Sequence, residues 1–520
     1  MIHLCHNNGF KWLNRLNIWF KGFIFNGNKL MDEDSVFAEL VQINDLKDFK
    51  NWLLKSNGCF SIVLKSEKGV FAAVDSIRSL PLFYKLAEGE IFITDNPINE
   101  DKFWFDEISV EASIELETAA YVTGNKTLFK NIYQLQAGEF LFFCQNKIVT
   151  EFYSGCDAIQ ITNKDFSSLM NQLQLFLNNS FHRLLISLKG RQAVIPLSGG
   201  YDSRLIALML KKSGHRKIVS FTYGRKGNLE LENSKKTADV LNIPWIFIDY
   251  NDTLTSGYLN DDTFKKYIHF AGKACSMFYM QDYFAVKYLH DNKLIESDAV
   301  FIPGHSGDFI AGSHLRENLS FTKDKTIIKK AVFSATFKQN NYKKHRKLLE
   351  TSIDNFIINV KGKEYGYQIF EYWDLLERQA KFIVNSASVF DFFGYEFRLP
   401  YWDRELVDFF QTVPFEFKLY KKLYNQVLEQ EYFMPNQLNF KKEIQASPMQ
   451  VKKQQLKNLI RPYLPKWLKL KYLVKNDWMA YSIITKPMLE DLENKKIKYK
   501  FKADLYNSII SKWYTESFYR

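Results

Sequence analysis

Long apolar runs are missing from this 520-residue chain. Nowhere do eighteen apolar residues follow one another, so a membrane-spanning helix is not expected. The opening "MIHLCHNNGFKWLNRL" lacks the uninterrupted apolar core of a secretory signal. Cysteine is scarce: Cys5, Cys59, Cys144, Cys156 and Cys275 lie far apart, with no CxxC pair and no metal-knuckle spacing. That excludes a disulfide scaffold or a zinc finger and fits a reduced, cytoplasmic protein. Internal repeats and low-complexity linkers are absent as well. What is present is 46% hydrophobic, enough to bury sizeable cores rather than stay disordered. The length favours two domains.

Charge is unbalanced toward the basic side, 70 Lys and Arg against 58 Asp and Glu, a net +12. Part of it is local, in "KKHRK" at 343–347 and "KKIKYKFK" at 495–502. Such runs attract nucleic acid, anionic membrane or acidic polymer. Lysine-rich usage extends over the whole chain, however, so the runs are read as solvated faces, and no nucleic-acid partner is expected.

The chain divides by texture. Residues 1 to about 155 alternate short apolar segments with turn signals, as in "GFIFNG", "GCFSIVL", "GVFAAVD", "PLFYKL", "GEIFITDNP" and "GEFLFF", the pattern of a mostly antiparallel β domain with few helices. From about 165 a helical period ("FSSLMNQLQLFLNNSF") alternates with single buried strands ("AVIPL", "IVSFTYG", "WIFIDY", "AVFIPG"), which predicts an α/β domain with a parallel sheet. Beyond about 325 the segments read as wholly helical.

Within that second region "VIPLSGGYDSRLIAL" at 194–208 carries chemistry. Val194 to Leu197 predicts a buried strand and Leu205 to Leu210 the apolar stripe of a helix stopped by Gly214. Gly199 and Gly200 between them let the main chain approach a ligand closely. Strand, glycine turn and helix N-terminus make an anion cradle from amide N–H groups and the helix dipole. An ordinary β-turn-α connection has the same outline, so the triplet alone does not decide.

Four further segments give it company: "SFTYG" at 220–224, "GHSGDFIAGSH" at 304–314, "YEFRLPYWDRELVDFF" at 395–410 and "FKKEIQASP" at 440–448. In this order and spacing the chain resembles the asparagine synthetase family, including its relatives that close β-lactam and carbapenam rings. The resemblance covers nearly the whole chain; "NGCFSIVL", "DSIRSLPLFY" and "TLFKNIYQLQAGEFL" are similar to the family's N-terminal domain. It implies an α+β, Ntn-hydrolase-like antiparallel sandwich over 1–155. Over 156–520 it implies an α/β ATP-pyrophosphatase domain with a parallel sheet and helical extension.

The resemblance also implies roles. Ser198, Gly199, Gly200 and Ser203 would cradle pyrophosphate; Gly304, Phe221 and Tyr223 would border the nucleotide, with Glu230 at the family's acidic position near it. Asp202 and Asp308 match the magnesium-binding aspartates, and hard oxygens suit Mg²⁺. Lys442, with Pro448 six residues on, matches a lysine that contacts phosphate or a developing oxyanion, Lys441 being the alternative if the loop slips. His305 stands where synthetases have glutamate and ring-forming relatives tyrosine; with Glu396 of the "ExRxP" segment it would form a base that prepares the attacking amine. Phe309 and Ser313 also depart from the family beside the acceptor, which makes aspartate a doubtful substrate.

One departure concerns the N-terminal domain. The family's glutaminase uses a cysteine at position 2 whose α-amino group acts as base after Met1 is removed; here position 2 is Ile2, and Cys5, inside the chain, has no free amino group to offer. A scaffold without glutaminase activity is expected. The expected whole is an ATP-dependent, AMP-forming ligase, using Mg²⁺, that joins a small or biosynthetic carboxylate to ammonia or an amine. A partner amidotransferase is one source of nitrogen, and a homodimer is compatible with the sequence. A non-catalytic nucleotide-binding relative is the alternative; an RNA-modifying enzyme would need extra cysteines or an RNA-binding appendage, and neither is visible.

Overall fold

The computed structural model describes residues 1–98, 106–155, 158–227, 229–340, 342–440, 477–499 and 505–518. Lys441, Lys442, Pro448 and Cys156 lie outside the described residues.

Among the described residues, eleven strands occupy the N-terminal region. A seven-stranded sheet runs β11(Lys147–Phe152), β10(Glu139–Cys144), β6(Gly69–Val74), β5(Asn57–Ser66), β3(Ile18–Asn26), β2(Trp12–Arg15), with β4(Lys29–Leu30) on β3. A four-stranded sheet runs β1(Ile2–His3), β8(Glu90–Thr94), β7(Phe83–Ala87), β9(Tyr133–Gln134). All these pairs are antiparallel except β1 with β8. Side-chain alternation builds the layers. Phe60, Ile62 and Leu64 of β5 face helices α1(Glu33–Val41) and α2(Leu46–Lys55), while Val63 joins Leu82, Ile93 and Leu141 between the two sheets. Asp32 and Asp45 cap the two helices through their carboxylates.

The second region is built on a five-stranded, wholly parallel sheet. Its order is β14(Trp245–Asp249), β13(Ile218–Gly224), β12(Ala193–Pro196), β15(Val300–Phe301), β16(Glu396–Phe397). Chain order along the sheet reverses at β12, so the crevice beyond the carboxyl ends of β12 and β15 is where an open parallel sheet admits a ligand. Strand β16 corrects the wholly helical reading beyond 325: two residues beside β15 are too short to register as a strand pattern. Around it pack the helices, from the 23-residue helix Phe166–Leu188 to Leu505–Ser517. Among the described residues, no helix is long and apolar enough to cross a membrane.

The two regions share polar contacts and core. Arg183 forms a fork with Asp403 (2.7 Å to each oxygen) and donates to Asn28 Oδ1 at 2.6 Å, and Asn57 donates to Asp403 at 3.0 Å. Asp391 accepts the Phe10 N–H at 3.0 Å, and the Arg398 guanidinium lies 4.1 Å from the Phe23 ring centre.

Candidate nucleotide site

The strand–turn–helix motif forms as its sequence predicts: β12 ends at Pro196, and the helix Tyr201–Lys212 begins directly after Gly200. Gly200, at the N-cap, has no side chain to occupy the helix's first amides, which leaves that end for an anion. The turn is held from inside. Ser203 Oγ accepts the Ser198 N–H at 3.0 Å and lies 2.9 Å from Ser198 Oγ, while Gly200 N donates to Ser198 Oγ at 3.2 Å. Behind it Arg204 donates to Gly199 O at 2.7 Å and Leu438 O at 3.1 Å. Its guanidinium is 4.8 Å from the Phe440 ring centre.

A second loop, after β15, closes against the cradle. A Cβ on Gly304 would stand 2.8 Å from Ser203 N, and one on Gly307 would stand 2.7 Å from Asp202 Cγ. Only glycine fits either position, and the fit brings Asp308 to Asp202. The Asp308 N–H donates to Asp202 Oδ2 at 2.9 Å, and Tyr424 OH donates to Oδ1 at 2.8 Å. Burial, and then the charge of Asp308, push the Asp202 carboxyl up to about 7. The contact sets the carboxylates of Asp202 and Asp308 on adjoining loops of one cavity wall. Their hard oxygens fit a divalent ion such as Mg²⁺, which Asp202 and Asp308 would hold.

These loops border a cavity of about 550 Å³. Ser198, Gly200, Asp202, Ser203, Gly304, His305 and Asp308 line it, together with Tyr223, and the structure so brings most of the sequence-predicted residues to one place. Gly199 stands behind the rim, its Cα substituent space filled by Glu230 Cα at 3.1 Å; the Glu230 side chain is exposed and does not line the cavity.

One expectation is narrowed and one is corrected. Phe221 is fully buried, edge-on to Phe301, so only its main chain is left to face a nucleotide; Tyr223, two residues on, lies on the same face of β13 with its ring centre 6.2 Å away, is stacked on Tyr250 at 5.1 Å and, nearer the strand's carboxyl end, is the β13 ring that reaches the cavity. Glu396 does not meet His305. In register it pairs with Val300, level with Ala193 at the amino end of the sheet, about 10 Å of strand from the cradle. Arg191 donates to it at 2.6 Å and Arg398 at 2.7 Å. Burial opposes its charge, but Arg398 and Arg191 outweigh it and hold the carboxyl at about 2. His305 keeps its place on the wall without that partner. Its Nε2 lies 3.5 Å from Ser386 Oγ, and burial pulls the ring down to about 4, so it is neutral near pH 7.

The sequence reading missed part of the lining. Lys421, Asn425 and Glu429 follow each other at intervals of four, one face of the helical stretch Lys422–Val427 and its continuation; that spacing of polar residues between apolar ones was the available signal. Glu429 accepts a 2.6 Å bond from Tyr201 OH. Gln281 and Asp282 line the far end, Asp282 pushed up to about 6 by burial against the hydrogen bond from Tyr223. No periodicity announces them, since they follow an irregular segment.

A parallel-sheet domain with a glycine cradle, facing aspartates and a crevice at the strand ends defines a nucleotide-binding α/β class. The asparagine synthase family model matches residues 189–499, and the chain belongs to that family. Among curated proteins it is similar to 7-cyano-7-deazaguanine synthases, 36% identical over 90 residues to the one from Caldicellulosiruptor bescii and 41% identical over 59 to that from Caldicellulosiruptor saccharolyticus. These stretches are 14% and 11% of this chain, and they span 41% and 26% of those relatives, less than half of their length. Among solved structures, an NH3-dependent NAD synthetase from Campylobacter jejuni matches 41% of this chain and 94% of its own at 12% identity and a TM-score of 0.21. A glutamine phosphoribosylpyrophosphate amidotransferase from B. subtilis matches 56% and 62% at 10% identity and a TM-score of 0.19.

Proposed function

We propose that the protein is an ATP-dependent ligase that activates a carboxylate as its acyl-adenylate and transfers the acyl group to ammonia or an amine. The observation that carries this reading is the Asp202–Asp308 pair set beside the glycine cradle, with Lys421 on the same cavity wall. The substrate carboxylate attacks the α-phosphorus of ATP, a carboxyl–phosphorus bond forms and pyrophosphate leaves; nitrogen then attacks the acyl carbon and AMP leaves. Ser198, Gly200 and Ser203 hold the departing pyrophosphate through amides and hydroxyls, and Lys421 offsets its charge. Mg²⁺ on Asp202 and Asp308 supplies further neutralisation of the phosphates when bound. Lys442, outside the described residues, is proposed for the same charge from the family pattern alone.

Neutral His305 is the proposed proton acceptor for an amine nucleophile, now without Glu396 as its orienting partner. The N-terminal sheets serve as scaffold rather than glutaminase: Ile2, in the edge strand β1, pairs with Ile93 and offers no thiol. Burial and Asp95 push the Cys5 thiol up to about 11, far from a reactive thiolate. A panel of carboxylates, each with ammonia or an amine, tests the whole by product analysis. AMP and pyrophosphate are expected; ADP and phosphate as sole products with a true substrate would refute the mechanism.

A further inference from the structure

Outside the lining of the nucleotide cavity, where the first strand ends, Cys5, His6 and Asp95 place a thiol, an imidazole nitrogen and a carboxylate oxygen within 4.8 Å of one another. Topology makes the cluster: β1 and β8 run parallel, Ile2 beside Ile93 and His3 beside Thr94, so the residues that follow each strand emerge together. We propose that Cys5, His6 and Asp95 form a binding site for a divalent transition-metal ion of the zinc class, with its fourth position open to solvent.

Geometry supports it first. Cys5 Sγ lies 3.5 Å from Asp95 Oδ1. A tetrahedral centre with metal–sulfur near 2.3 Å and metal–oxygen near 2.0 Å has a sulfur–oxygen edge of about 3.5 Å. A modest movement of the His6 ring closes the third corner. The carboxylate is already aimed: Cys5 N donates to Oδ1 at 2.9 Å, His6 N to Oδ2 at 3.1 Å and Trp12 Nε1 to Oδ2 at 2.7 Å. Outer contacts of this kind fix a ligand's orientation before the metal arrives.

The imidazole gives an independent sign. His6 Nε2 is buried with no hydrogen-bond partner among the described residues. A thiolate, an imidazole and a carboxylate together select zinc-like ions over Mg²⁺ or Ca²⁺. Cys5 is exposed, so an ion can enter and keep a water.

Charges balance. Two cations face the cluster: Lys21, which donates to His6 O at 2.9 Å, and Lys273, whose ammonium is 4.3 Å from the Phe270 ring centre. Asp95 and Asp391, the latter 3.9 Å from Lys21, offset them. Metal entry expels the Cys5 thiol proton and forms the metal–sulfur bond, a net gain of one positive charge.

Cobalt provides the probe. The full-length protein, stripped with a chelator and dialysed, is titrated with Co²⁺ and then with Zn²⁺. One equivalent of Co²⁺ with a thiolate-to-cobalt charge-transfer band, bleached by Zn²⁺, is the expected result. Cys5→Ser should abolish the band, and His6→Gln should weaken Zn²⁺ binding more than the roughly 10–100-fold that an outer-sphere contact costs. Asp202→Asn should leave the band intact, which separates this site from the nucleotide site. Absence of a band in the native chain, its survival in Cys5→Ser, or undiminished Zn²⁺ affinity in His6→Gln would overturn the proposal.

Discussion

At the scale of single residues the carboxyl of Asp202 carries the clearest consequence. Its ordinary value near 3.8 is raised to about 7, so the folded chain holds a proton there that the unfolded chain gives up. Between those two values the folded state binds more protons, and stability therefore falls as pH rises. The metal-free protein should lose on the order of 1–3 kcal/mol between about pH 4 and pH 7 from this group. Thermal melts in chelator should record the loss, and added Mg²⁺ should restore it at the upper end. Turnover at low Mg²⁺ should rise with pH through about 7 and shift to lower pH as Mg²⁺ saturates. Asp202→Asn and Asp308→Asn should each cut turnover by several orders of magnitude with the fold intact. Glu396 behaves differently. Held between Arg191 and buried Arg398, it is structural in its surroundings, and Glu396→Gln should cost about 1–3 kcal/mol of stability while properly folded enzyme keeps near-native turnover. Thermal melts set beside rate per folded molecule check this. The motif around Glu396, with Arg398 in it, was legible in the sequence; the other partner was not, since Arg191 stands 205 residues away and its pairing depends on strand register.

At the scale of elements the cradle is two loops that touch only because glycine lets them. Gly304→Ala would press a methyl carbon against the Ser203 amide, backbone against backbone, where no side chain can turn aside. The helix end must then retreat by several tenths of an ångström. Roughly tenfold or greater weakening of ATP, with a stability loss of about 1–3 kcal/mol, is expected from ATP KM and melting measurements. Arg204 works on the other side of the same turn. It joins Gly199 to Leu438 and packs over Phe433 and Phe440, just before the stretch that contains Lys442. Arg204→Lys should fail to rescue what Arg204→Met loses, because a single ammonium cannot serve two carbonyls in the plane of one fork. Both variants should raise ATP KM, and a native KM in either would reduce Arg204 to packing. The strand, turn and helix here were readable from apolar runs and glycines; the strap formed by Arg204 was not, as its acceptors are main-chain oxygens that leave no mark in a sequence.

At the scale of the molecule the change from alternating β texture to helical periodicity near 155–165 was readable, because the period of two and the period of 3.6 are properties of neighbouring residues. How the two regions meet is a matter of residues hundreds of positions apart. Arg183 and Asp403 are almost fully buried, and their fork is completed from the other region by Asn28 and Asn57. Nearby, Gly9 lies so close to Tyr395 O that a Cβ would overlap it at 2.3 Å, and Asn8 donates to Phe392 O at 3.0 Å. With ionic, main-chain and aromatic contacts in one interface, the N-terminal sheets are part of the synthase region's support. Asp403→Ala tests this. It takes the buried fork from Arg183, which keeps Glu405 at 2.7 Å and Asn28 at 2.6 Å, and removes the acceptor of Asn57, a loss of about 3 kcal/mol, the low end for broken buried pairs. If the regions unfold together, the whole melting transition should move down as one, seen equally by near-ultraviolet dichroism and by calorimetry. If they are independent, one of two transitions should move and the other stay. ATP turnover per folded molecule should remain near native, since Asp403 does not line the nucleotide cavity. A second transition that ignores the substitution would show that the sheets only rest on the synthase region.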